Sequence, residues 1–101
     1  MRNGLVYSCT LYELRFLSAH KDLFAILAKT KPHLARTFGN RHVRLQVERD
    51  PDDGSEELFA AIMVNGKPER ALDLLARFDH EYFIQASKRT RNRLTFTVDT
   101  P

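Results

Sequence analysis

Lys88-Arg89-Thr90-Arg91-Asn92-Arg93 places four cations in six residues, the densest charge cluster in the chain. Such a run neutralises phosphates by counterion release. A nucleic-acid complex resting on Lys88, Arg89, Arg91 and Arg93 would therefore weaken steeply with salt. Arg36, Arg41 and Arg44 extend that surface if the fold gathers them. No helix-turn-helix, zinc-finger or RNA-recognition signature accompanies the run, and Leu94-Thr95-Phe96 offers no evident stacking platform. A solvated basic loop ahead of a strand is the plainer reading.

The opposite sign gathers in Asp50-Pro51-Asp52-Asp53-Gly54-Ser55-Glu56-Glu57. An EF-hand loop wants acidic or amide ligands at positions one, three and five, glycine at six and a closing Glu at twelve. Counted from Asp50, Gly54 falls fifth and no Glu closes the loop, so a hairpin turn accounts for the segment better than a calcium site. The four histidines, His20, His33, His42 and His80, form no His-x-x-x-His pair, and none lies near Cys9 in sequence. His80-Glu81 reads as an exposed pair before an acid–base couple. A nucleophile needs a positioned base, and Cys9 reads as a small buried hydrophobe. The four glycines all fall at expected turns, so no phosphate loop is present. No catalytic, cofactor or metal constellation is visible, and we expect no enzyme and no cofactor.

The segment Arg77-Phe78-Asp79-His80-Glu81-Tyr82-Phe83-Ile84 is richest in aromatics. Phe78 and Tyr82 share a helical face while Phe83 lies about 100° round from Tyr82. All three rings cannot enter one core, so the segment is either the closed end of the core or an interaction surface of the kind that favours aromatics and arginine.

The elements that would position these groups follow from periodicity. Thr10-Leu11-Tyr12-Glu13 fits a capping box, with Leu14 and Leu17 expected inward and Phe16 to one side. Ser18 through Asp22 reads as a break. Leu23, Phe24, Ile26 and Leu27 then form a 3.6-residue stripe, and Pro32 is expected to end that helix and open another, which carries Leu34, Ala35 and Phe38 up to Gly39. The period changes to two at Val43, Leu45 and Val47, a strand with one wet face. Leu58 through Val64 is apolar on both faces, with Phe59, Ala61 and Met63 on the second, as in a strand covered on both sides. Pro68 opens a helix bearing Ala71, Leu72, Leu75, Phe78 and Tyr82, and Leu94, Phe96 and Val98 alternate as the last strand. The order predicts an α+β two-layer sandwich. Helices lie on one face of a small mixed sheet, and the last strand runs parallel to the one before it through a right-handed crossover. The face around Phe59 and Met63 then needs a cover, either Leu5-Val6-Tyr7 or a second copy of the chain.

Leu14-x-x-Leu17, Phe38-Gly39, Val47-x-x-Asp50-Pro51, Ala71-Leu72-x-x-Leu75-x-x-Phe78-Asp79 and Lys88-Arg89 through Leu94-Thr95-Phe96-Thr97-Val98 together resemble a small family of uncharacterised bacterial proteins, over roughly residues 11–99. In those relatives two tryptophans stand where Tyr82-Phe83 stand here, and Gly-Lys stands where Asn92-Arg93 stand. The genes of such proteins often neighbour toxin–antitoxin operons, which implies an accessory or regulatory role. The shared motifs are core and turn positions, and they bring no activity with them.

The chain has 101 residues, 43% of them hydrophobic and 29% charged, ordinary globular composition for a single domain over residues 1–101. Its net charge of +3 divides unevenly: six basic and two acidic groups lie in residues 1–40, three and six in 41–66, and seven and five in 67–101. One cysteine excludes an internal disulfide. No apolar run suits a membrane span or signal peptide, so a cytoplasmic protein is expected. The sequence thus favours a non-enzymatic protein-interaction module, a homo-oligomer or the partner of another protein. The candidate interface is Phe59, Met63, Phe78, Tyr82 and Phe83, and nucleic-acid binding through residues 88–93 is the alternative.

Overall fold

The computed structural model describes residues 5–39, 41–83 and 93–99, with Phe83 described in its backbone only. Its elements are β1 (Val6–Ser8), α1 (Leu11–Ala19), α2 (Lys21–Phe38), β2 (His42–Arg49), β3 (Glu56–Met63), α3 (Pro68–Phe78), a π-helical turn over Asp79–Phe83, and β4 (Leu94–Asp99). The strands form one sheet in the order β1-β2-β3-β4. β1 runs parallel to β2, β2 antiparallel to β3, and β3 parallel to β4. This is an α+β fold with a mixed sheet, and the parallel β3–β4 pairing agrees with the sequence reading.

Helix α1 begins as its capping box requires. Glu13 accepts the Thr10 amide at 2.9 Å and the Thr10 hydroxyl at 2.5 Å. Its second oxygen accepts the Val47 amide at 3.2 Å. β1 ends at Ser8 and pairs with β2 only as far as Arg44, so further along β2 a side-chain carboxylate takes the place of a neighbouring strand. This contact also corrects an expectation. Turning Glu13 inward rotates α1 so that Phe16 and Leu17 are buried while Leu14 is 52% exposed.

The break at His20 is present, but the break at Pro32 is not: α2 runs unbroken from Lys21 to Phe38. Leu23, Leu27, Thr30, Leu34 and Phe38 form one buried stripe on both sides of the proline. Burial along that stripe offsets the one backbone hydrogen bond that Pro32 cannot donate. Phe24 falls outside the stripe and is exposed. Gly39 ends the helix at φ 82°, where its amide caps the Ala35 carbonyl at 2.8 Å.

The helices lie on one face of the sheet. Val43, Leu45, Leu58, Ala60, Ile62, Leu94 and Phe96 point into that layer and are buried with Leu5, Phe16, Leu17, Leu23, Leu27, Leu34, Phe38, Ala71 and Phe78. Phe78 meets Phe96 edge-on at 5.3 Å and Phe38 at 6.5 Å, which fixes α3 against both α2 and the sheet. Helices α1 and α2, between β1 and β2, and α3, between β3 and β4, thus share one layer.

Candidate interaction surface

The other face of the sheet is formed by the alternate residues of each strand, and register sorts them into rows. Arg44, Ala61 and Thr97 form one row, with Ser8 beside Arg44 on β1. Gln46, Phe59 and Thr95 form the next. Continued outward, His42, Met63 and Asp99 lie beyond the first row, while Glu48 and Glu57 lie beyond the second with Arg93 just ahead of β4. Phe59, Ala61 and Met63 run down the middle and are half-buried by these polar flanks. No described element packs over them.

Leu5-Val6-Tyr7 does not cover this face, one of the two covers expected from the sequence. The segment supplies the edge strand β1. Leu5 is buried in the helix-side core, and Tyr7 turns the same way, its hydroxyl donating to the Leu27 carbonyl at 2.9 Å. Burial, and Tyr82 nearby, push the Tyr7 phenol above the ordinary range. Edge pairing satisfied the backbone of β1 without requiring a second layer.

One end of the open face carries a hollow of about 580 Å³, floored by Phe59 and walled by Glu48, Asp50, Glu56, Glu57, Arg49 and Arg93. Glu57 is held there by the Thr95 hydroxyl, and Tyr12 reaches Glu56 from α1. At the other end the Arg44 guanidinium meets Asp99 at 3.3 Å. The acidic loop beside the hollow is a tight hairpin turn. Asp50 accepts the Asp52 amide at 2.8 Å and Asp53 the Ser55 amide at 2.9 Å. That bond from Ser55 holds the Asp53 carboxyl below its usual range. Both carboxylates thus serve their own backbone. Among the described residues no three or more His, Cys, Asp or Glu side chains are arranged to hold a metal.

Of the aromatic candidates, Phe78 is 1% exposed and belongs to the core. Tyr82 is half-buried, stacked on His33 at 3.9 Å and 5.8 Å from Phe78, and its hydroxyl accepts from Thr30 at 3.2 Å. The π-helical turn carries Tyr82 back over α2, so Phe78 and Tyr82 close the end of the core and are withdrawn from the candidate interface. The Phe83 side chain lies outside the described residues, and so do Lys88, Arg89 and Arg91. Arg93 is bound to Asp22 at the start of α2, and this contact holds the Asp22 carboxyl below its usual range. Arg44 lies on β2, in the row of Ala61 and Thr97, while Arg93 precedes the far end of β4 two strands away, so the fold does not merge them into one basic patch.

One pairing escaped the sequence reading. Ser8 and His42, 34 positions apart, are hydrogen-bonded through Oγ and Nε2 across the β1–β2 edge. They lie beside a notch of about 550 Å³ lined by Cys9, Thr10, Glu13, Arg44 and Gln46. Among the described residues no carboxylate orients the His42 ring, as a nucleophile's base requires. Burial, with Glu13 nearby, pushes the Cys9 thiol up and away from its reactive form.

The chain matches no protein-family model, no curated protein and no solved structure. No helix of the described residues is long and apolar enough to cross a membrane.

Proposed function

We propose that the protein is a protein–protein interaction module whose working surface is the open face of its sheet. One observation carries this reading: the central strand presents Phe59, Ala61 and Met63 on a face that no described element covers, while the opposite face of the same strand is buried. A strand of this composition is ordinarily covered on both sides, and the apolar strip is rimmed by polar and charged groups, as interaction sites are. The basic-run alternative finds less support. Arg93 is engaged by Asp22 and stands beside the carboxylates of Glu48, Asp50, Glu56 and Glu57, a setting that repels phosphate.

The test is affinity capture from nuclease-treated host extract, with wild type and Met63→Glu as baits of matched thermal stability. A stoichiometric protein held by wild type and lost from the variant is expected, the chain's own untagged copy included. Equal recovery on both baits, or recovery of nucleic acid alone when nuclease is omitted, overturns the proposal.

A further inference from the structure

We infer that a hollow between the end of α2, the end of β3 and the start of α3 binds a terminal phosphate group, free or carried on a small molecule. Arg41, Lys67, Arg70 and Asn65 line it, and Phe38 and Leu74 form its apolar wall. That wall belongs to the helix-side core, so the inference is independent of the open face. The hollow has a volume of about 50 Å³. A water needs roughly 10–15 Å³, and a pocket for a whole organic ligand roughly 300–1,000 Å³. The space therefore suits one tetrahedral group, with anything esterified to it left in solvent.

Charge selects an anion. Arg41 lies just ahead of β2, Lys67 caps α3 and Arg70 follows in its first turn, so the fold alone gathers them. The ion pairs Arg44–Asp99, Arg49–Glu56 and Arg93–Asp22 leave all three without an anionic partner among the described residues. Glu69 and Asp73 flank Arg70 on α3, but both are exposed and neither lines the hollow. Asp99 reaches this region only through its backbone carbonyl, which accepts the Val64 amide at 3.0 Å, while its carboxylate is turned to Arg44. Three like charges thus converge on one apolar-walled space with no described carboxylate to balance them, and a dianion relieves their repulsion. The positive end of the α3 dipole is a small addition to three full charges.

Arg41 is held ready for this role. Its Nε–H donates to the Phe38 carbonyl at 3.1 Å, and its own carbonyl accepts the Val6 amide at 3.1 Å. Among the described residues nothing takes its Nη donors, and a planar guanidinium fork suits two oxygens of one phosphate. Lys67 adds a point charge. A phosphodiester, with one charge and two substituents, meets this small hollow less well than a terminal group.

Isothermal titration of the purified chain at constant ionic strength tests the inference, at about pH 8, where a phosphomonoester is a dianion. The probes are inorganic phosphate, glycerol 3-phosphate and the monoanionic diester diethyl phosphate. One site per chain is expected, with a dissociation constant of about 1 mM or below for phosphate or its monoester. Arg41→Gln and Arg70→Gln should each weaken binding by about tenfold or more. Arg77→Gln removes the same charge from the last turn of α3, away from the hollow, and should leave the affinity unchanged. As a check on folding, saturating phosphate should raise the melting temperature of wild type and of Arg77→Gln but not of Arg70→Gln. Binding that depends on Arg41 and Arg70 supports the inference, and the tighter of phosphate and its monoester names the source of the group. Absence of saturable binding by both overturns it. Equal weakening by Arg77→Gln also overturns it, since net charge alone would then attract the anion. Equal affinity for the diester overturns the assignment to a terminal phosphate.

Discussion

Ile62 and Met63 are consecutive residues of β3 with similar hydrophobicity, yet they stand in different environments. Ile62 is 0% exposed beneath the helices, while Met63 is half-buried on a face without a second layer. The helix-side face is sealed by three helices contributing Leu, Phe and Ala. The open face alternates its apolar strip with Arg, Gln, Glu, Thr and Asp. Both faces derive from one strand of nearly uninterrupted apolar sequence. The surroundings, rather than the strand, decide which residues stabilise the monomer and which are left for contact.

The largest expected effect breaks that comparison directly. Ile62→Ala removes fully buried methyl and methylene groups and leaves a cavity, at a cost of about 3 kcal/mol in unfolding free energy. Met63→Ala should cost less than about 1 kcal/mol. Urea titration of the two variants decides the matter. Equal losses would mean that the open face is covered within the monomer.

A second contrast lies at the sheet edge, where Glu13 takes the place of a strand. Burial opposes ionisation of Glu13. Hydrogen bonds from the Thr10 hydroxyl and from the Val47 and Thr10 amides outweigh it and hold the carboxyl below its usual range. A pKa depressed in the folded state stabilises the fold above the unfolded value, about 4.3. That stabilisation is lost as pH falls through the folded value. Glu13→Gln should therefore cost about 1–2 kcal/mol near pH 7, where a charge-assisted acceptor is replaced by a neutral one. The gap between variant and wild type should narrow in acid, as denaturant midpoints from pH 7 down to about pH 3 would show. A gap independent of pH would mean that the carboxylate is not ionised in the fold.

Periodicity revealed most of the elements, because burial of one face imposes a period of 3.6 on α2 and two on β2 and β4. It could not reveal that β1 exists. Three residues, Val6–Ser8, are too few to show an alternation, and their pairing with His42–Arg44 is a property of the fold. Pro32 misled for a related reason: local chemistry argues for a break, whereas the buried stripe from Leu23 to Phe38 is a tertiary effect. The open face was legible as an apolar second face on β3, since Phe59, Ala61 and Met63 alternate in plain sight. What rims it was not legible. Arg44 meets Asp99, and Arg93 meets Asp22, only through strand order and the return of the chain.

The Arg93–Asp22 contact gives the smallest expected effect and sharpens the comparison between the basic run and the open face. Both side chains are substantially exposed, so the pair contributes little to stability, and Arg93→Ala should leave the melting curve unchanged. The readout is the titration of Asp22 itself. Its carboxyl lies below the usual range chiefly through the hydrogen bond from Arg93. In Arg93→Ala the Asp22 midpoint, followed by side-chain carboxyl chemical shifts, should move up toward the ordinary carboxylate value. In wild type, high salt should move it the same way only partly, because screening weakens the charge interaction more than a close hydrogen bond. An unmoved midpoint would show that Arg93 is not held by Asp22 in solution, which would return its charge to the basic run.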